Sequence, residues 1–251
     1  MSPLLFNLYV DNLSVEMNKL PIGCQMFGIT INHLIYADDL VIFAPSIKGL
    51  QMLVNTCVRN GNILDVKFNE LKTKCMFVLS DRDKKCSLPF PNVYIGASVI
   101  NCVKTYKYLG VIICDVPNDN DDIARQTRVN YARVNLLRRK FYNCSDNVKL
   151  VVFKAYMYCL YGCSLWLQYN NATYNKLKVS YNNAFRFLMR LPSHYSASTM
   201  FVNNRVMSFQ EVMHINMNSL KKRVCLSSNK LVLGCIRESA LIENIDTNTL
   251  V

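Results

Sequence analysis

Two adjacent aspartates, Asp38 and Asp39, stand between two apolar runs rich in branched residues, Ile29 to Tyr36 and Leu40 to Ala44. That pattern reads as a β-hairpin whose turn carries both carboxylates. Asp favours turns on its own account. Neither carboxylate has a cationic neighbour in sequence and both flanks are apolar, so a positive partner is expected at this turn.

Around the hairpin the first half alternates helix and strand signals. Ser2 then Pro3 fits an N-cap with proline at the first helical position, and Leu4, Leu5, Leu8 and Leu13 continue the helical period to about Asn18. After Pro45 and Ser46, the apolar positions from Ile47 to Val58 predict a second helix with Gly61 at its C′ position. Val66 to Phe68, Lys74 to Leu79, Asn92 to Ile95 and Tyr106 to Ile113 read as strands, with a turn at Gly96 and a bulge at Gly110. Beyond them, long segments of helical period cover about 121–142, 146–167, 171–191 and 208–225. The expected class is α+β: an antiparallel sheet with packed helices over 1–115, a polar linker at 116–122, and an all-α bundle over 123–251.

Charge follows the same division. The chain of 251 residues carries a formal +12, and residues 1–120 hold 11 basic and 10 acidic side chains against 18 and 7 in residues 121–251. A polyanionic partner is therefore expected for the second half. The 11 cysteines are odd in number and irregularly spaced, which points to reduced intracellular thiols, with Cys159 and Cys163 assigned to core packing. No apolar run reaches the roughly 18 residues of a membrane span. The chain is expected to be soluble, with no membrane partner. His33, His194 and His214 lie far apart and are read as structural, and Trp166 as bundle core.

The string Tyr36-Ala37-Asp38-Asp39 resembles the metal-binding hairpin of reverse transcriptases, most closely those of non-LTR retrotransposons. Upstream, Ser2 to Tyr9 resembles the helix that follows the family's QG dipeptide. Downstream, Asn69 with Lys72-Thr73-Lys74 resembles the next box, and Tyr108-Leu109-Gly110-Val111 the strand pair that grips the primer end. The resemblance covers about residues 1–115. It implies a polymerase palm followed by a helical thumb-like region.

The same resemblance implies RNA-directed DNA polymerisation with Mg²⁺, or alternatively Mn²⁺, on an RNA template, a DNA primer and deoxynucleoside triphosphates. Asp38 becomes the direct metal ligand and Asp39 the supporting one, and hard cations do take carboxylate oxygens. Tyr36 lies near the primer end, and Lys72 protonates the pyrophosphate, with Lys74 as the alternative. Leu109-Gly110 forms the primer-grip turn. The family's third carboxylate, its QG dipeptide and its fingers would precede this chain, and Asp11 is read as solvated rather than as a substitute. The expectation is a truncated reading frame or partial gene product, inactive alone, completed only by a complementing fragment or the rest of a retroelement polyprotein. A functional element of this kind would act in the nucleus.

From Ile123 to Lys140 there are six basic residues and no acidic one. Arg125 and Arg128 share a helical face, with Tyr131 and Tyr142 available for stacking, so a nucleic-acid backbone is the expected ligand. Lys176, Lys178, Arg186 and Arg190 add charge in the third helix, and the trimer Lys221-Lys222-Arg223 is given no catalytic role. Two other readings stand beside the polymerase: a group II intron or retron-type transcriptase, which shares the same box, and a non-catalytic nucleic-acid-binding remnant.

Overall fold

A computed structural model of the chain describes residues 2–26, 28–78 and 90–234. They form two compact units: one takes the described residues of 1–77, 81–103 and 224–251, the other those of 78–80 and 104–223. The mixture of helices and small strand pairs is α+β.

In the first unit the single opening helix expected to Asn18 is two, α1 (Ser2–Tyr9) and α2 (Asp11–Asn18). The break is at Val10, whose backbone sits at φ −92°, ψ 4° while its side chain is buried. β1 (Cys24–Met26) pairs antiparallel with β2 (Ile29–Ile31), and β3 (His33–Tyr36) with β4 (Asp39–Ile42). The run Ile29 to Tyr36 is thus divided at Asn32. This residue is 3% exposed and sends its side-chain amide to the Met17 carbonyl at 2.8 Å, a bond that satisfies a polar group buried in the interior.

Helix α3 (Ile47–Ile63) starts as expected, with the Ser46 hydroxyl accepting from the Gly49 amide at 3.1 Å. Its end differs. Gly61 remains inside the helix, and Asp65 takes the left-handed conformation at φ +54°. Close packing explains that glycine: a Cβ there would stand 2.6 Å from the Phe68 ring and 2.9 Å from the Val66 carbonyl. Phe68 itself lies in irregular chain and not in a strand, packed against the apolar clusters around Leu53 and Val54.

The remaining strands are short. β5 (Lys74–Cys75) runs parallel to β8 (Asn101–Cys102), and β6 (Tyr94–Ile95) forms a hairpin with β7 (Ser98–Val99). The expected strand beyond Cys75 is irregular to Val78, and Leu79 lies outside the described residues. In place of one antiparallel sheet, the described residues hold five two-stranded ladders, one of them parallel. The branched runs are interrupted by a buried asparagine and by turns, so no strand among the described residues exceeds four residues.

The second unit opens with β9 (Thr105–Tyr108) and β10 (Val111–Cys114), an antiparallel hairpin. Then come α4 (Asn120–Phe141), α5 (Asp146–Met157), a 3-10 turn at Cys163–Leu165, α6 (Asn171–Met189), α7 (Ala197–Asn203) and α8 (Phe209–Cys225). The expected linker is not a spacer, because α4 begins at Asn120 and the Asp119 carboxylate accepts the amides of Leu167 and Gln168, each at 2.7 Å. The expected helix 146–167 stops at Met157, and Gly162 at φ +83° redirects the chain so that Leu160, Cys163 and Trp166 enter the core. Cys159 is exposed, contrary to its expected burial, whereas burial pushes the Cys163 thiol up to about 11. Phe153, Tyr181 and Phe185 are fully buried, and Phe153 meets the other two edge-on at centroid distances of 5.4 and 5.0 Å. Truncating such a ring costs about 3–5 kcal/mol.

Candidate functional site

The paired aspartates do sit on a hairpin. Tyr36 pairs with Asp39, Ile35 with Leu40, Leu34 with Val41 and His33 with Ile42, leaving Ala37 and Asp38 as the two central turn residues. Ala37 holds φ +51° and Asp38 has no positive φ. Positive φ at the first central position alone is the signature of a type II′ turn, a position that glycine usually fills.

The register sets what the turn presents. Directly paired residues lie on the same face of a ladder, so Tyr36 and Asp39 share one, with Asp38 at the tip. Tyr36, Asp38 and Asp39 are exposed, and no described residue makes a hydrogen bond or ion pair with either carboxylate. Two adjacent acids without a counter-charge repel each other, an arrangement that a bound cation relieves.

Below the turn the hairpin is anchored. Leu40, Ile42 and Ala44 pack on Leu13, Met17, Leu53 and Cys57 of α2 and α3. His33 is held on both ring nitrogens, by the Ser14 hydroxyl at 2.7 Å and the Asn32 side chain at 2.6 Å, and burial lowers its pKa. The histidine is structural, as expected, and fixes the base of the strand that ends in Tyr36.

Lys72 and Lys74 do not share a strand. Lys72 is exposed in a turn that Asn69 closes, its carboxamide oxygen accepting from the Lys72 amide at 3.0 Å and its carbonyl from the Thr73 amide at 2.9 Å. Lys74 begins β5. Asn69, three residues before the lysine, thus closes the turn that presents it.

In the second unit, Leu109 and Gly110 form the turn between β9 and β10, with φ of +45° and +84°. Both being positive is the type I′ pattern, so the expected bulge is a two-residue turn. Arg125 does not project freely: its Nε donates to Asp122 Oδ1 at 2.7 Å, and only 15% of its side chain is exposed. Arg128 is exposed and unpaired among the described residues. It begins a stripe along α4, at helical spacing, formed by Arg128, Tyr131, Asn135, Arg138 and Tyr142, all exposed. Arg138 stacks on Phe187 of α6 at 4.2 Å, and Arg190 covers the Tyr142 ring at 3.9 Å. The Tyr142 ring is therefore occupied by a guanidinium, which leaves Tyr131 as the open aromatic of that stripe.

Sequence reasoning missed Asp122, which it placed in a linker. Its carboxylate is fully enclosed and accepts from the Ile112 amide at 3.0 Å, Arg125 at 2.7 Å and the Trp166 indole at 2.9 Å. Burial alone would raise its pKa, but the Arg125, Trp166 and Ile112 donors outweigh that and leave it lowered. Its partners lie up to 44 residues away, so no local spacing could signal the role.

The profile of the family described as Reverse transcriptase (RNA-dependent DNA polymerase) matches residues 1–113, a span from α1 to the next-to-last residue of β10 that includes the Asp38-Asp39 hairpin and the Leu109-Gly110 turn. These residues belong to the reverse transcriptase family. The same region is similar to the Retrovirus-related Pol polyprotein from type-2 retrotransposable element R2DM of Drosophila melanogaster, at 34% identity over 117 residues. That stretch is 44% of this chain and 11% of the relative. The relative is a retrotransposon protein, in keeping with the non-LTR resemblance. No solved structure matches the chain. The helical part of the second unit lies beyond the reverse-transcriptase match.

Proposed function

We propose that this chain contributes the Asp38-Asp39 hairpin and a basic helical unit to RNA-directed DNA polymerisation by a retrotransposon reverse transcriptase. The observation that carries the reading is the pair of exposed carboxylates, without a partner among the described residues, on an anchored turn within the stretch that matches the family.

The donor chemistry fits Mg²⁺, or Mn²⁺ in its place, because polymerase-type sites use one or two carboxylates together with substrate phosphates. Asp38, at the tip, is the direct ligand and Asp39 the supporting one. Among the described residues there is no group of three or more metal-ligating side chains, and what they offer a cation at this turn is the aspartate pair. A cation held there would supply charge stabilisation for phosphoryl transfer.

The chain's own side chains bind and orient. Tyr36, on the Asp39 face of the hairpin, packs near the primer end. Lys72, exposed on its turn, gives a proton to the departing pyrophosphate, with Lys74 as the alternative donor. Leu109 and Gly110 approach the primer backbone through their turn. Arg128 and the α4 stripe hold template or primer phosphates in the thumb role, an assignment that rests on exposure and charge.

Primer extension on an RNA template with Mg²⁺ tests the reading, comparing the chain with Asp38→Ala. Extension that vanishes in the variant, with RNA binding kept, supports it. A second reading, a non-catalytic nucleic-acid-binding remnant, is favoured by the concentration of exposed charge on α4 and predicts salt-sensitive binding with no extension in either protein.

A further inference from the structure

The β9–β10 turn is held from outside the hairpin. Leu109 occupies a left-handed conformation that a branched side chain rarely adopts, one that the two-residue turn demands of it. The Tyr161 hydroxyl donates to the Leu109 carbonyl at 2.8 Å. On the next residue, a Cβ at Gly110 would stand 2.9 Å from the Tyr161 ring, so glycine is what lets the ring lie against the backbone. One side chain, 52 residues away, thus touches both central residues of the turn.

Tyr161 is itself fixed. Its carbonyl lies 3.5 Å from Arg125 Nη2, and Arg125 Nε is bound to Asp122. The same carboxylate receives the Ile112 amide of β10 and the Trp166 indole beyond Tyr161. Between them, Gly162 at φ +83° brings the chain to within 3.0 Å of Val111 Cγ2, measured from where its Cβ would be. The strand, the loop carrying Tyr161 and the start of α4 therefore converge on a single buried charge.

We propose that Tyr161 is a positioning residue for the β9–β10 turn, its hydroxyl on Leu109 and its ring against Gly110 holding the backbone in the shape that receives a primer 3′ end. The proposal rests on the reading of this turn as the primer-contacting element. Tyr161 lies beyond residues 1–113, so the family match ends before the side chain that shapes one of its own boxes. The hydroxyl makes one hydrogen bond and the ring is half exposed, so Tyr161→Phe keeps the packing and removes only the link to Leu109.

Binding measurements decide the matter. The affinity of the chain is measured by fluorescence anisotropy for an RNA–DNA hybrid with a recessed primer 3′ end, and for a continuous hybrid with both ends closed by loops. The wild-type chain is expected to prefer the recessed end. Tyr161→Phe lowers that preference about threefold to tenfold, the range for losing one hydrogen bond, while affinity for the closed hybrid stays unchanged. Gly110→Ala displaces the ring from the other side and lowers the preference likewise. An unchanged preference in both variants, or equal losses on both hybrids, overturns the role of Tyr161 and leaves the primer reading standing. No preference in the wild type overturns the primer reading of the turn, and the inference with it. Urea midpoints of the variants separate loss of fold from loss of positioning.

Discussion

Trp166 donates its indole N–H to Asp122 across 44 residues of sequence, and the carboxylate that accepts it is fully buried. Removing a charge of this kind strands its partners, here a guanidinium, an indole and a backbone amide. Asp122→Ala is expected to cost about 3 kcal/mol in a urea titration, and Trp166→Phe about 1 kcal/mol beyond its packing loss. The pH sign follows from the lowered pKa: the unfolded chain takes up the proton first. The contribution of Asp122 is therefore complete above its ordinary value of 3.8 and is lost as pH falls through the lower folded value. An acid limb as steep in Asp122→Ala as in the wild type contradicts this.

Arg125 and Arg128, one helical turn apart, should separate in experiment. Arg125 sits on Asp122 with most of its side chain covered, whereas Arg128 faces solvent without a partner among the described residues. Arg125→Ala is expected to lower the urea midpoint and so reduce RNA binding only through the folded fraction. Arg128→Ala keeps the midpoint and reduces the salt slope of RNA binding by about one. A reversed pattern would assign the nucleic-acid contact to Arg125.

His33 gives the first unit its own pH dependence. Burial lowers its pKa below the ordinary 6.5, so the unfolded chain is protonated before the folded one. Stability from this group is complete above 6.5 and is lost as pH falls from there through the folded value. The wild type should lose more stability than His33→Gln between about pH 7 and pH 5. Parallel curves for the two proteins would show that the Ser14–His33–Asn32 link carries no titrating group.

Much of the candidate site was legible because its signals are local. Branched runs around Asp38-Asp39 signal a hairpin through neighbouring residues alone, and Asn69 closes its turn through bonds no more than four residues long. The periods of α4, α6 and α8 were likewise visible to within a residue or two of their ends. What escaped depends on partners far along the chain. Asp122 reads as one more linker acid until Ile112, Arg125 and Trp166 converge on it, and Tyr161 reads as one more residue of the helical run 146–167 until Leu109 meets its hydroxyl. Asn32 belongs to the same group, a polar residue inside an apolar run that breaks the strand because Met17 receives its amide. The pairing of Arg125 with Asp122 escaped for the complementary reason: a basic residue on a polar helix face looks solvated when the acid one turn earlier is assigned elsewhere.

The turn that carries Asp38 stores a strain that can be relieved without touching a carboxylate. Ala37 holds φ +51°, a conformation costing an L-residue about 1 kcal/mol or more that glycine adopts freely. The strain persists because Leu40, Ile42 and Ala44 fix one strand on the α2–α3 core while His33 and Asn32 fix the other. Ala37→Gly therefore trades native-state relief against greater freedom in the unfolded chain. With φ well into the left-handed region, relief prevails, and the variant is expected to be up to about 1 kcal/mol more stable by urea denaturation. Ala37→Val should be less stable by at least as much, since a β-branched residue fits this conformation worse than alanine. If the glycine variant is less stable than the wild type, the turn is not strained, and the Asp38 carboxylate is held by the ladder alone.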